Sequence, residues 1–395
     1  MRALIEKSEK AIEQVSLKYI RNQLNWIEQN ERLIGIVGSR GVGKTTLLLQ
    51  YLKIKKYNES AIYISLDDLY FTENKLFDFI DEFVKNGGKY AFIDEVHHYD
   101  NWAIELKNIF DTFKNIKVVY TGSSLLKLVK GRVDLSRRSI VYNLPGLSLR
   151  EYINITENTE FPTYTINDIV NRHVEISKSI WTKTLPVKKY NEYLKVGYYP
   201  FFLENAENYS QKLNSIILEI LETDLPFIAG INYSNINKLK QLLYIISESA
   251  PFKPNIIKLS ERIGISKNTL KDYLFYMKEA LLINMLYTDK KGISILAKPE
   301  KIYLHNPNIA YTLANEQANI GNVRETFFLN QVQNNYNVYY SNDADFMVDK
   351  KVFEIGGKNK SKKQIRNIDN SFLALDNIDT GYKNEIPLWL FGFLY

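Results

Sequence analysis

The chain has 395 residues, 45% hydrophobic and 24% charged, with a net charge of +6 and no cysteine. That length exceeds what one hydrophobic core usually serves and the composition is ordinary for a globular protein, so two to four units are expected. The missing cysteines exclude disulfide frameworks, thiolate nucleophiles and cysteine-ligated zinc or iron–sulfur centres.

Residues 1–10 carry charges throughout, unlike a signal peptide, and no run approaches the roughly 20 apolar residues of a membrane helix, so a cytoplasmic protein without a membrane partner is expected. The mildly basic balance permits an anionic partner such as nucleic acid. A chain rich in Lys, Asn, Ile and Tyr reaches the same balance without one.

Residues 5–29 read as helical, with Leu17, Ile20, Leu24 and Ile27 on one side. From Arg32 short apolar runs alternate with longer amphipathic stretches, the pattern of an α/β fold in which helices wrap a parallel sheet. Strands are expected at 33–37, 61–66, 90–93, 117–120 and 140–144, mostly apolar on both faces as buried parallel strands are.

Between the first strand and the helix that follows it stands Gly38-Ser39-Arg40-Gly41-Val42-Gly43-Lys44-Thr45, the complete phosphate-loop pattern, continued by Thr46. Glycines let the backbone curl its N–H groups inward, and a helix N-terminus adds positive potential for phosphate. Lys44 is expected at the β- and γ-phosphates of ATP and the Thr45 hydroxyl on Mg2+.

A second motif lies on the strand at 90–93, which ends in Asp94 and Glu95. Asp94 is expected to join Thr45 in holding Mg2+, and Glu95 to orient or deprotonate the attacking water. The strand at 117–120 leads into Thr121-Gly122-Ser123-Ser124, where Thr121 or Ser123 either senses the γ-phosphate or caps a helix. Further on, Arg137 and Arg138, and less so Arg132, are either surface charges or an arginine finger for a neighbouring subunit's nucleotide. His97 and His98 have no partner set at metal-ligand spacing, and His173 and His305 are isolated.

These stretches, with Trp102 downstream of His97, resemble the prokaryotic AAA+ ATPases of the archaeal-type branch. Within it they resemble the group whose C-terminal half is a domain of unknown function, with looser matches at 197–200, 222–225, 298–303 and 345–358. The resemblance implies a P-loop NTPase parallel sheet with a helical lid, then a winged helix and a small α/β nuclease-like domain, and homo-oligomerisation. Boundaries are expected at 1–148, 149–230, 231–297 and 298–395.

The C-terminal half carries its own signals. Residues 256–287 outline a helix-turn-helix in which Ser266 caps a helix with Leu270, Tyr273, Leu274 and Met277 inward and Lys267, Asn268 and Lys271 outward. That face meets DNA or packs structurally. Glu325, Asp345 and Glu354 resemble the carboxylates of restriction-endonuclease-like folds, whose active members need Glu-x-Lys and a metal. Here Gly356 stands where that lysine belongs, and Lys358 regains the face only if the strand continues through Gly356 and Gly357, so nuclease activity is not expected. Around it Lys350, Lys351, Lys358, Lys360, Lys362, Lys363 and Arg366 form either a solvated face or a track for a phosphate backbone. Two uses of the ATPase remain open: a DNA-coupled remodeller, or a nucleotide-controlled oligomeric switch acting on a protein partner.

Overall fold

The computed structural model describes residues 2–57, 59–125, 135–249, 251, 253–289, 298–314 and 318–395. The chain divides into two compact units, Met1–Pro145 and Gly146–Tyr395.

In the first unit β1 (Leu33–Gly38), β2 (Ala61–Ser65), β3 (Tyr90–Asp94), β4 (Lys117–Ser123) and β5 (Ile140–Asn143) pair in parallel, in the order β2-β3-β4-β1-β5. The central strands are apolar runs buried on both faces, β1 throughout its length. At the edges that expectation fails: β2 alternates and β5 is largely exposed, because an edge strand is covered less completely than a central one. Helices α1 (Arg2–Gln14), α2 (Lys44–Lys55), α3 (Tyr70–Glu73), α4 (Leu76–Lys85) and α5 (Trp102–Thr112) complete the unit. In α4 the core face is Leu76, Phe79, Ile80 and Phe83, spaced at i, i+3, i+4 and i+7. Each such side chain contributes roughly 1.5–3 kcal/mol on burial.

The helix expected over 5–29 stops at Gln14, and 22–26 is only a 3-10 turn. Side chains of α2 explain the stop. Gln50 donates to the carbonyls of Ser16 and Tyr19 at 2.8 and 2.9 Å, and Lys53 to those of Glu13 and Val15 at 2.6 and 2.7 Å. Those carbonyls are then satisfied without a continuing helix. Leu17 and Ile20 stay exposed, whereas Leu24 and Ile27 are buried as expected.

The second unit opens with α6 (Leu149–Glu157), started by a capping box in which Ser148 and Glu151 satisfy each other's backbone N–H. The run α7 (Ile166–Trp181), α8 (Pro186–Val196), α9 (Tyr209–Glu219) and α10 (Leu225–Ala229) follows. Within this unit α6 and α7 lie against the 3-10 turn Leu388–Phe393, where Tyr164 N–H donates to Phe393 O at 2.9 Å. Next come α11 (Ile236–Ser249), α12 (Ile256–Ile263) and α13 (Lys267–Glu279), and then the antiparallel pair β6 (Ile283–Leu286) and β7 (Lys301–Leu304).

After α14 (Pro307–Leu313) and α15 (Ile320–Val332) the chain builds a mixed sheet from β8 (Val338–Tyr340), β9 (Phe346–Val348), β10 (Lys351–Gly357), β11 (Ser371–Asp376) and β12 (Glu385–Pro387). Its order is β12-β11-β10-β9-β8, antiparallel from β8 to β10 and parallel from β10 to β12. No helix among the described residues is long and apolar enough to cross a membrane.

Candidate nucleotide site

A parallel sheet brings the C-terminal tips of its strands to one edge, and there the order β3-β4-β1 sets three sequence motifs side by side. The phosphate loop leaves the tip of β1. Its geometry needs glycine: a Cβ on Gly38 would sit 2.4 Å from the Leu144 carbonyl oxygen, and Gly43 has φ 93°. Directly afterwards α2 begins at Lys44, and the N–H groups of its first turn point out of the helix end. Lys44 is buried, and its ammonium donates to the carbonyls of Gly38 and Ser39 at 3.1 and 3.2 Å.

The tip of β3 supplies Asp94, 2% exposed and surrounded by donors. Thr45 Oγ1 donates to Asp94 Oδ2 at 2.6 Å and Tyr63 OH to the same oxygen at 2.9 Å. Thr121 Oγ1 donates to Oδ1, which also accepts the Glu95 N–H at 3.2 Å. Asp94 is thus held as an acceptor next to the Thr45 hydroxyl. Two hard oxygen ligands placed together are the donor set that Mg2+ takes, usually with phosphates and waters completing its octahedron. Thr45 and Asp94 therefore fit the metal expected of them.

Sequence reasoning did not single out Tyr63. The register that places it is set only in the folded sheet, where β2 pairs with β3 with Tyr63 beside Phe92, two residues before Asp94. Burial first, and then the Asp94 charge, push the Tyr63 phenol far above its ordinary value, so it acts as a hydrogen-bond donor only.

Glu95 follows with φ 53°, a left-handed backbone that costs a non-glycine residue on the order of 1–2 kcal/mol. Burial raises its carboxyl pKa; Lys44 opposes that shift and Asp94 adds to it. Its Oε2 lies 3.2 Å from Nδ1 of His97. His97 is buried, and that burial pushes its imidazole down to about 3, with His98, Lys44 and Arg40 acting in the same direction. A neutral ring next to the Glu95 carboxyl is the result. The His98 ring centroid is 4.2 Å from that of His97, and Glu95, His97 and His98 bring ligand atoms within 4.8 Å of one another. This corrects the expectation that the two histidines lack a ligand set.

Of the two hydroxyls in the last residues of β4, Thr121 reaches the site through Asp94, and its Oγ1 also accepts the Glu95 N–H at 3.2 Å. Ser123 Oγ instead accepts the Leu125 N–H, two residues on, at 3.3 Å. Arg138 makes a bidentate pair with Asp111, both contacts 2.9 Å, while Arg137 is exposed. Arg132 lies outside the described residues.

In the second unit Ser266 accepts the Thr269 N–H at 3.1 Å, and Lys267, Asn268 and Lys271 are exposed as expected. The basic cluster is partly spent on ion pairs, Lys360 with Glu354 at 2.5 Å and Lys362 with Glu385 at 3.3 Å, while Lys350, Lys358, Lys363 and Arg366 are exposed. The strand does run through Gly356 and Gly357, but it ends there. Lys360, not Lys358, is the lysine that reaches Glu354, which corrects the expectation for that position.

Two family models match separate parts of the chain: an AAA domain at residues 30–153, and a domain of unknown function (DUF8612) at 187–319. The uncharacterized protein MJ1637 of Methanocaldococcus jannaschii is 27% identical over 299 residues, covering 72% of this chain. That alignment spans 62% of the relative, less than two thirds of its length. A second uncharacterized protein of that organism, MJ1544, is 25% identical over 347 residues, which is 84% of this chain and 73% of the relative. Among solved structures, the Aeropyrum pernix ORC1 protein in complex with DNA overlaps 78% of this chain and 92% of its own, at 12% identity and a TM-score of 0.31. The match to an AAA domain at 30–153, the complete phosphate loop and the strand order agree on a P-loop NTPase fold for the first unit.

Proposed function

We propose that the chain binds Mg-ATP and hydrolyses its terminal phosphoanhydride by attack of water on the γ-phosphate, and that this cycle is coupled to DNA binding or remodelling. The observation that carries the hydrolytic part is the hydrogen-bonded run Thr45–Asp94–Thr121 across three neighbouring elements, next to Lys44 and Glu95.

In this reading Lys44 exchanges its two carbonyl partners for the β- and γ-phosphates. Thr45 and Asp94 hold Mg2+, which when bound neutralises charge developing on the phosphate oxygens. Glu95 orients the attacking water and takes its proton, and Thr121 fixes Asp94 relative to Glu95. Arg137, exposed near the start of β5, is the better candidate for the nucleotide of a second copy, since Arg138 is engaged by Asp111.

For the second unit we read α12, α13 and the β6–β7 pair as a winged helix, and α15 with the mixed sheet as the nuclease-like domain. The exposed Lys267, Asn268 and Lys271 support a DNA-facing role for α13. The exposure of Arg137 favours a second reading, a nucleotide-controlled assembly of copies acting on a protein partner.

Steady-state ATPase measurements with and without single- and double-stranded DNA separate the two, with Lys44→Ala and Glu95→Gln as controls. Turnover raised by DNA and absent from both variants supports the remodeller. Turnover that ignores DNA but rises with protein concentration supports the switch. Equal turnover in wild type and Glu95→Gln sinks the assignment of the catalytic carboxylate.

A further inference from the structure

Five charged side chains of the second unit meet in one place, and their pairing is unlike that of a metal centre. Lys301, on β7 and 9% exposed, donates from Nζ to Glu325 Oε2 of α15 and to Asp345 Oδ1, both at 3.1 Å. Tyr303, two residues along the same strand and so on the same face, donates to the same Glu325 oxygen at 2.8 Å. The other oxygen of Asp345 accepts the Ile355 N–H at 3.0 Å.

Since Phe346 is in register with Phe353, Asp345 falls opposite Glu354 across the antiparallel β9–β10 pair. Glu354 is 2% exposed; its Oε1 takes Lys360 at 2.5 Å, and its Oε2 is buried without a hydrogen-bond partner among the described residues.

The nuclease-like resemblance calls for a divalent ion held by Asp345 and Glu354, and the residues present do not fit it. The carboxylates of Glu325 and Asp345 converge on one point, and an ammonium nitrogen occupies it. A Mg2+ or Ca2+ ion would stand roughly 2.0–2.6 Å from such oxygens, so ion and ammonium exclude each other. Charge argues the same way. Three buried or half-buried carboxylates need compensation, and Lys301 and Lys360 already supply two positive charges.

We propose that Lys301 is the resident cation of this cluster and keeps the site closed to divalent ions by holding Glu325 and Asp345 around its ammonium. The ligand atoms of Glu325, Asp345 and Glu354 do not all lie within 4.8 Å of one another. These carboxylates therefore take up an ion only when Lys301 is removed and they close in. The unpartnered oxygen of Glu354 is the ligand that such an ion would gain. The proposal concerns ion binding and assigns no hydrolytic step to the cluster.

The test uses the full chain without nucleotide, with Mn2+ as the probe. Bound ion is counted by electron paramagnetic resonance and stability followed by thermal melting. Wild type and Glu354→Gln should bind the same number of ions, so that any Mn2+ at the nucleotide site cancels. Lys301→Met, which keeps the stem and removes the charge, should melt lower than wild type. It should bind one further Mn2+ per chain, gain several degrees from it, and lose both effects in Lys301→Met/Glu354→Gln. Wild type that loses a bound Mn2+ on Glu354→Gln would overturn the proposal, and so would Lys301→Met that binds no more ion than wild type. If Lys301→Met does not fold, the comparison of wild type with Glu354→Gln still tests the first part of the proposal, that the site is closed, and a Mn2+ lost on Glu354→Gln overturns it.

Discussion

The hydroxyl of Thr121, at the tip of β4, donates to the carboxylate of Asp94, at the tip of the neighbouring β3. Thr45 and Tyr63 hold the other Asp94 oxygen, so both oxygens are fixed before any ligand enters. Loss of a group that orients a metal ligand commonly costs about 10- to 100-fold. Thr121→Ala should therefore lower ATP turnover within that range and leave nucleotide affinity within a few-fold, while Thr121→Ser keeps most of the rate. Steady-state kinetics with equilibrium nucleotide binding make the check. An alanine variant that turns over like wild type removes this hydroxyl from the reaction.

His97 offers a second point of control. Its neutral ring has Nδ1 3.2 Å from Glu95 Oε2: with the proton on Nδ1 it donates to that carboxylate, and in the other tautomer Nδ1 instead accepts the Ser123 N–H at 3.4 Å from the end of β4. His97→Ala should reduce kcat about tenfold with KM nearly unchanged, because the contact orients the base and touches no substrate. A rise in KM at unchanged kcat would assign His97 to nucleotide binding instead.

The grouping of the phosphate loop with Asp94 and Glu95 was legible in the sequence because its parts are local strings on predictable elements. The phosphate loop and the Asp94–Glu95 pair each sit in one strand-to-loop transition, and a parallel sheet puts such transitions at one edge. Tyr63 and His97 were less legible: each acts across a strand pairing, and a single string does not give the register. The N-terminal helix was overread for a related reason, since Gln50 and Lys53 end it from a distant helix. Lys301 shows the limit most clearly. It lies 24 residues from Glu325 and 44 from Asp345, and no motif spacing links the three.

His305 gives a pH dependence of stability. It is buried in the second unit, and burial pushes its imidazole down to about 4 from 6.5. Between those values the unfolded chain binds a proton that the folded chain does not, so stability falls as pH is lowered from 6.5 toward 4. The full effect is a few kcal/mol at most. His305→Gln should be the less stable protein at pH 7.5, because it disturbs a packed site, yet lose less stability than wild type on acidification to pH 5. Urea melts of both proteins at the two pH values make the comparison; parallel losses would show that His305 does not carry the dependence.

The exposed basic residues of the second unit give a prediction about DNA. Ion pairs with Glu354 and Glu385 take Lys360 and Lys362 out of the cluster, which leaves Lys350, Lys358, Lys363 and Arg366 exposed, the last three of them beyond the end of β10. Each neutralised phosphate of duplex DNA contributes about 0.9 to the slope of log affinity against log salt. If these three side chains hold a backbone, the triple alanine variant should weaken duplex binding at every sequence tested and lower that slope by about 3. Replacing Lys267, Asn268 and Lys271 tests the α13 face separately, because a residue at base edges changes sequence preference more than salt dependence. Fluorescence anisotropy across a salt series reads both quantities. Affinity that is flat across the series would leave the basic residues as a solvated face and favour the oligomeric switch acting on a protein partner.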